Sequence, residues 1–431
     1  MVSSAHPQKK DAIVTEFYVE RIYAKNYRQF STLDVRFNRG FNFITGPNGS
    51  GKTSILACIA HCMHYNSINY SRFQEDAEFW TDVTTPSGKF RIGLGAGSIQ
   101  PAVYRDKKIV SFNKPTTEEK RISITSHEFT TDRNSATDYC PLFIGSNRSV
   151  KYTKISGMQR ETSQTESSTQ YTSTSLSSLY GEKQTSVKQW FINRYFIIEK
   201  DWAIIESKNW NHLITSLQHL GPTNSDLKYI RTGRDLEPVF SIYGEECYLE
   251  ELSSGFQAVL YIIASIFEWI ESTKLEERRL VSEAAGTVLI DELDVHLHPE
   301  WQLTLRNGLR KIFPKLQFIV TTHSPHLLAS AESGETIILP REHGQKHYII
   351  EPTQQKFSGW NTDQILTDVM DVKSLASKDY EKAIHRAFTA IEINSIDDLK
   401  REIQTLSQIS HPDDSIVTIL TTRLAAMMVK Q

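Results

Sequence analysis

The sequence predicts an α/β fold built on a buried sheet, and three observations carry that prediction. An apolar run at 41–45 leads into Gly46-Pro47-Asn48-Gly49-Ser50-Gly51-Lys52-Thr53 and then into a helix-forming stretch that begins at Ser54. Strand, glycine loop and helix in that order are the setting of a phosphate-binding loop. Residues 287–290 are β-branched and aliphatic, and Asp291-Glu292 follows directly. Residues 316–322 repeat the buried-strand pattern and end in His323-Ser324-Pro325. Ligands of open α/β sheets lie at the carboxyl ends of strands, so loop, acids and histidine are expected on one edge.

Size and composition set outer bounds. The chain has 431 residues, 39% hydrophobic and 23% charged, enough for one large domain with insertions or for two. Net charge is −3, which excludes a uniformly basic protein without arguing against a local basic groove. Four cysteines do not make a disulfide framework, and a reducing cytoplasm is the expected compartment. No stretch has the apolar length of a membrane span, and the polar start at 1–10 does not resemble a signal peptide.

Taken in order, residues 13–22, 33–37 and 41–45 suggest two or three antiparallel strands. Between them, Arg28 in Asn26-Tyr27-Arg28-Gln29-Phe30 is placed to lie against a base; alternatively, Tyr27 and Phe30 cap the small sheet. In the helix after the glycine loop, Cys58 and Cys62 share a face, which fits core packing better than zinc. Residues 76–141 are β-rich and suggest a second sheet. Residues 162–178 are Ser/Thr-rich with few apolar side chains, predicting a flexible excursion or a segment ordered by a partner. Helical patterning resumes at 187–220, strands at 229–230 and 238–243, and a long apolar helix at 258–270. A polar linker at 271–286 follows.

The residue types specify the chemistry. Glycines let backbone N–H groups converge on a triphosphate, while the helix N-terminus beneath adds partial positive charge. Lys52 is placed to reach the β- and γ-phosphates, and the Thr53 hydroxyl to ligate Mg²⁺. Asp291 at the strand end belongs to the same metal shell, with Glu292 orienting the attacking water. His323 is placed to sense the γ-phosphate. Pro299 is well placed to open a helix over 300–313.

Together these motifs resemble the ABC-type ATPases of the SMC/RecF/OLD branch, and the tract from Ile290 to Pro299 is especially like the OLD-like (AAA-15/21) group. The resemblance covers roughly 15–340 and implies an ABC-ATPase head: a P-loop α/β core, an antiparallel β subdomain and a helical signature subdomain. It assigns Walker A to 46–53, the signature to 252–257, Walker B to 288–292, the D-loop to Asp294 and the switch to His323. It also implies a homodimer in which Ser253 and Gly255 of one copy close over the ATP held by the other. The signature reads Leu-Ser-Ser-Gly-Phe-Gln, with a hydroxyl in place of the first glycine. No Q-loop glutamine stands out, leaving Gln74, Gln100 and the Asn147-Arg148 loop as candidates. No heptad run of the SMC kind lies between the lobes.

This divides the chain into a first ATPase lobe at 1–148, a Ser/Thr-rich insertion at 149–186, a second lobe at 187–340 and a C-terminal region at 341–431. The C-terminal region is expected to hold a hairpin at 336–350 and helices at 379–392, 395–406 and 415–428. Residues 358–370 resemble the corresponding segment of anti-phage ATPases of the Septu (PtuA) type. Asp397-Asp398 and Asp413-Asp414 read as solvated acids, and nothing after Pro325 resembles a Toprim nuclease. The helical stripes, among them Phe388 and Ile419, have no evident place in the ATPase core. The resemblance therefore implies a regulatory ATPase that gates a separate, PtuB-like HNH nuclease docked on the C-terminal region. The alternative is a RecF/SMC-like repair ATPase that binds DNA directly.

Overall fold

The central layer is an all-parallel sheet of five strands, ordered Thr336–Ile338, Phe41–Thr45, Leu316–Thr321, Gly286–Ile290 and Leu142–Ile144. The computed structural model describes residues 17–103, 106–117, 120–131, 139–222, 225–341, 349–372, 377–411 and 414–429. The three central strands are buried at every position, as parallel strands covered on both faces must be. Phe41–Thr45 therefore leaves the antiparallel group in which the sequence pattern placed it. Its unbroken burial selects the parallel sheet over a half-exposed one.

A second sheet, ordered Phe30–Arg36, Tyr18–Tyr27, Phe73–Thr85, Gly88–Leu94 and Ile122–Thr125, is antiparallel except for its last pair. The helix Lys52–Met63 lies between the sheets. Ile55, Leu56, Ile59 and Met63 share one core with Ile22, Phe79 and Ile92 from the antiparallel sheet and Leu289 and Ile319 from the parallel one. Cys58 and Cys62 are fully buried there, as core packing requires. His61 has each ring nitrogen 2.7 Å from a serine hydroxyl, Ser67 and Ser71.

The helices Val187–Ile197 and Ile204–Ser216 meet the small sheet Lys228–Thr232, Pro238–Ile242 and Glu245–Tyr248 through packed rings of Trp190, Phe191, Trp210, Tyr229 and Phe240. That sheet delivers the chain to the signature helix, Ser254–Thr273. Buried Glu271, near its end, accepts from Arg194 at 2.6 Å, Asn209 at 3.0 Å and Trp190 at 3.3 Å. The polar linker thus begins after the helix, and even there Val281 and Ala284 are buried.

The Ser/Thr-rich tract is helical rather than a flexible excursion: Gln164–Ser173 and Ser175–Leu179. Ser163 and Glu166 form a reciprocal capping box at its start. Ser167, Ser175, Leu176 and Leu179 are buried, so the tract borrows apolar surface from its neighbours instead of supplying it.

The chain divides into compact units after Met370, not at 340/341. Thr336–Ile338 is the edge strand of the parallel sheet, and beyond it Ile350 bridges Val35 while Thr353 bridges Thr336. Of the expected hairpin, His347 and Tyr348 lie outside the described residues, as does Asp413. The unit 371–431, taken by itself, packs Lys378–Glu392, Ile396–Ile409 and Ser415–Val429 around Ala383, Ala387, Ala390, Leu399, Leu406 and Leu420. Most of the predicted stripe residues face this core, whereas Phe388 and Ile419 stay exposed. Among the described residues, no helix is long and apolar enough to cross a membrane.

Candidate functional site

The strand ends bring the loop 46–51, Asp291-Glu292 and His323 to one edge of the parallel sheet. Gly46 and Gly51 have φ of +140° and +96°, and neither tolerates a side chain. A Cβ on Gly46 would lie 2.6 Å from the Leu339 carbonyl oxygen, and one on Gly51 would lie 2.2 Å from Gln29 Nε2. Pro47 and Ser50 are buried, while Asn48 and Gly49 face solvent at the loop tip.

Lys52 is the buried cation of the loop. Its Nζ donates to the carbonyls of Gly46 at 2.9 Å and Pro47 at 3.0 Å. Burial pulls its pKa down to about 8, against the opposing pull of Asp291, Glu292 and Asp294. Thr53 Oγ1 donates to the Asp291 carboxylate at 2.9 and 3.1 Å, and Thr321 Oγ1 donates to the same carboxylate at 2.6 Å. A hydroxyl and a carboxylate in contact make a hard-oxygen pair of the kind Mg²⁺ prefers. Among the described residues no cluster of three or more His, Cys, Asp or Glu is placed to hold a metal. Thr53 and Asp291, expected from the sequence to share a metal shell, are in direct contact and would offer two of an ion's oxygen ligands. Burial raises the Asp291 pKa.

Glu292 sits just beyond the strand with a left-handed φ of +50°. Its N–H donates to Thr321 Oγ1 at 2.7 Å, and its carbonyl accepts from Arg148 Nη2 at 3.0 Å. Burial, then Asp291 and Asp294, push its carboxyl pKa up. Asp294 accepts from Thr322 Oγ1 at 2.7 Å and from the His323 N–H at 3.3 Å, tying the loop at His323 to the turn after Ile290. His323 reaches solvent, yet partial desolvation on its inner side and then Lys52 push its ring toward the neutral form.

Arg148 is the residue of this edge that the sequence understated. It is 1% exposed and donates to the carbonyls of Gly145, Asp291 and Glu292, so it clamps the turn that aims both acids. Burial lowers its pKa only to about 10, and it stays charged at neutrality. Of the three Q-loop candidates, the structure brings only the Asn147-Arg148 loop to Walker B. Gln74 and Gln100 occupy exposed positions in other sheets. Arg28, also left-handed at +50°, donates to Ser54 Oγ at 3.1 Å and Ser71 Oγ at 2.9 Å, beside the first turn of the loop's helix. Tyr27 and Phe30 are core residues, as the capping alternative required.

The signature differs in kind. Ser253 begins the long helix without a side-chain cap hydrogen bond, and Ser253 and Ser254 are exposed. Gly255 is buried against the His296 carbonyl and Trp301, where a Cβ would lie 2.9 and 3.1 Å away. Gln257 donates to the carbonyls of Glu250 and Leu252 at 3.0 and 2.9 Å and accepts from Val150 N–H at 3.2 Å. The loop after Arg148 thus reaches the signature turn. Among the described residues, no hydrogen bond joins Ser253 to the loop 46–53.

Residues 41–329 match the family model described as "AAA domain, putative AbiEii toxin, Type IV TA system". The chain belongs to this family. It is an AAA-family ATPase, with an α/β head and a helical C-terminal region. It is 27% identical to the Septu protein PtuA of Bacillus thuringiensis over 92% of this chain and 94% of that one. It is 30% identical to the "Retron Ec83 probable ATPase" of Escherichia coli over 50% of this chain and 39% of that one. Among solved structures, an Smc head bound to the C-winged helix domain of ScpA matches at 13% identity and a TM-score of 0.43, over 79% of this chain and 99% of that one.

Proposed function

We propose that this ATPase is the regulatory subunit of an anti-phage defence complex, that two copies close around ATP, and that this closure gates a separate HNH-type nuclease. The defence assignment rests on the similarity to PtuA, which runs nearly end to end in both chains. The composite site rests on one observation: the residues 46–54, 291–294 and 323 are brought together, while Ser253 stands exposed and uncapped at the head of a 20-residue helix. A helix N-terminus with free N–H groups attracts a phosphate, and a second copy supplies one.

In this reading Lys52 leaves the loop carbonyls for the β- and γ-phosphates, and the glycine-loop amides hold the remaining oxygens. Thr53 and Asp291 would hold Mg²⁺, which would supply charge neutralisation on the phosphates. Glu292 orients the attacking water and takes its proton, in an environment that already raises its basicity. Neutral His323 donates a hydrogen bond to the γ-phosphate and reports its loss through Asp294. Ser253 and the Gly255 turn come from the partner copy. Arg28 flanks the nucleotide from the antiparallel sheet.

Mixing two inactive variants tests the composite site. Lys52→Ala removes one half of each site and Ser253→Arg the other, so a mixed dimer regains one intact site. ATP turnover should reappear on mixing, at up to half of the parent rate per mixed dimer and about a quarter of it for an equimolar mixture that exchanges freely. If the mixture stays as inactive as its components while the chains exchange, the site is not shared. Salt-sensitive DNA binding by the chain alone, with no nuclease partner, would support direct DNA action instead.

A further inference from the structure

The end of the Ser/Thr-rich tract meets the nucleotide edge, at a residue that no motif includes. Tyr180 closes the helix Ser175–Leu179, and its N–H donates to the Leu176 carbonyl at 3.0 Å. Leu176 and Leu179 are buried, so the backbone that carries Tyr180 is seated in the core. Gly181 follows with φ of +71°, and a Cβ there would lie 2.9 Å from the Asn147 side chain. The Tyr180 hydroxyl accepts from Arg28 Nη2, across 152 positions of sequence.

Arg28 is held from three sides: Nε donates to Ser71 Oγ, Nη1 to Ser54 Oγ and Nη2 to Tyr180. Ser54 belongs to the glycine loop's helix, Ser71 to the turn before the strand Phe73–Thr85, and Tyr180 to the tract. Ser71 is itself fixed from behind. The Ser67 hydroxyl has one hydrogen, and its 2.7 Å contact with the His64 carbonyl requires that hydrogen there. His61 Nδ1 therefore donates to Ser67, while Nε2 meets Ser71 Oγ at 2.7 Å. The His61 ring is fully buried and has no room to swing away. A planar guanidinium held at three corners has one orientation. It carries five N–H groups, and the described residues take three of them.

The position is that of a nucleotide contact. The turn between Tyr27 and Phe30 lies on the glycine loop, since a Cβ on Gly51 would stand 2.2 Å from Gln29 Nε2 and 2.3 Å from the Phe30 ring. Arg28 itself has φ of +50°, a region that residues other than glycine rarely adopt. Such backbone persists where the surroundings over-determine it, as they do here.

We propose that Tyr180 is a positioning residue for nucleotide binding: its hydroxyl, together with Ser71 backed by His61, turns the remaining N–H groups of Arg28 toward the nucleotide on the loop 46–53. This rests on the reading of Arg28 as a flank of the nucleotide site. It gives the Ser/Thr-rich tract a task, which is to set one wall of that site.

The test is calorimetry with a non-hydrolysable ATP analogue on the full chain carrying Ser253→Arg, so that neither turnover nor dimer closure contributes. Arg28→Ala should weaken binding about tenfold or more, as the loss of a charged hydrogen-bond donor does. Tyr180→Phe keeps the ring and removes only the hydroxyl, and should weaken binding about three- to tenfold. In the Arg28→Ala chain the same change should cost less than about twofold, because the group it acts through is gone. With Ser253 restored, Tyr180→Phe should raise KM for ATP by the same factor and leave kcat within about twofold. Parent affinity in Tyr180→Phe while Arg28→Ala binds weakly would overturn the positioning role alone. An equal loss from Tyr180→Phe with and without Arg28 would overturn it too, since Tyr180 would then act by another route. Parent affinity in Arg28→Ala would remove Arg28 from the site, and the proposal with it.

Discussion

The two halves of the proposed ATP site are finished to different degrees within one chain. Around Lys52 and Asp291 the main polar contacts are made within the chain: the lysine to two carbonyls, the aspartate to two threonine hydroxyls, and the Glu292 turn to Arg148, whose Nη1 alone is left buried without a partner in that clamp. Around Ser253 the backbone is equally well fixed, through Gly255 and Gln257, but the hydroxyls face solvent. A buried polar group without a partner costs about 1–3 kcal/mol, so the first half must be self-consistent before nucleotide arrives. An exposed serine at a helix N-terminus carries no such penalty and can wait for a ligand. In the proposed dimer, the first half binds nucleotide by itself and the second completes the neighbour's site.

The harshest test of this comparison removes chemistry from the finished half while sparing its geometry. Glu292→Gln keeps the side-chain shape and the backbone contacts to Thr321 and Arg148, because those involve the main chain. General-base assistance contributes about 10²–10⁴-fold. Steady-state turnover should fall by about that factor with ATP affinity retained, and the ATP-bound dimer should persist in light scattering. Turnover at the parent rate would remove Glu292 from the chemistry. Ser253→Arg strikes the other half and should cost about a hundredfold in turnover, the scale of losing one donor to a transition-state anion. Equilibrium ATP binding by a dilute single chain should stay within twofold, since that serine contacts no residue of the loop. Loss of binding equal to loss of turnover would instead place Ser253 in its own chain's site.

A smaller effect separates the halves by pH. Lys52 binds phosphate only when protonated, and in the free protein burial brings its pKa to about 8. Below that pH the ammonium is already present, and nucleotide affinity should be flat. Above it each binding event must also take up a proton, so Kd should rise, at most tenfold per pH unit, until the pKa of the complex is passed. Titration from neutral to alkaline pH checks this. A Kd independent of pH across that range would mean that the lysine is not perturbed, or not used.

Legibility in the sequence follows the same division. The glycine loop, Asp291-Glu292 and His323 were readable because each ends an apolar run, and a strand end has only one direction to point. Arg148 was legible only as one of three candidate loops, because its partners are backbone carbonyls, which leave no trace in residue types. Phe41–Thr45 was assigned to the wrong sheet because a five-residue apolar strand does not reveal its neighbours. The unit boundary moved from 340 to 370 because Ile350 and Thr353 are held by backbone bridges to distant strands. The helical stripes after 371 found their place in a core built largely on Ala383, Ala387 and Ala390, residues too small to announce one.

The Ser/Thr-rich tract offers the smallest test, and one that separates borrowed order from intrinsic order. Its helix begins at Ser163, whose Oγ accepts from the Glu166 N–H at 3.3 Å while the Glu166 carboxylate accepts from the Ser163 N–H at 3.0 Å. An N-cap serine replaced by alanine costs about 1 kcal/mol. If most of the tract's order comes from burying Ser167, Leu176 and Leu179 on its neighbours, Ser163→Ala should only fray the first turn. Amide exchange at 165–167 should then accelerate several-fold, with 175–179 unchanged. If instead the cap sustains the helix, protection should collapse along the whole tract at once. That outcome would show that the segment supplies its own order, and that its burial is a consequence rather than the cause.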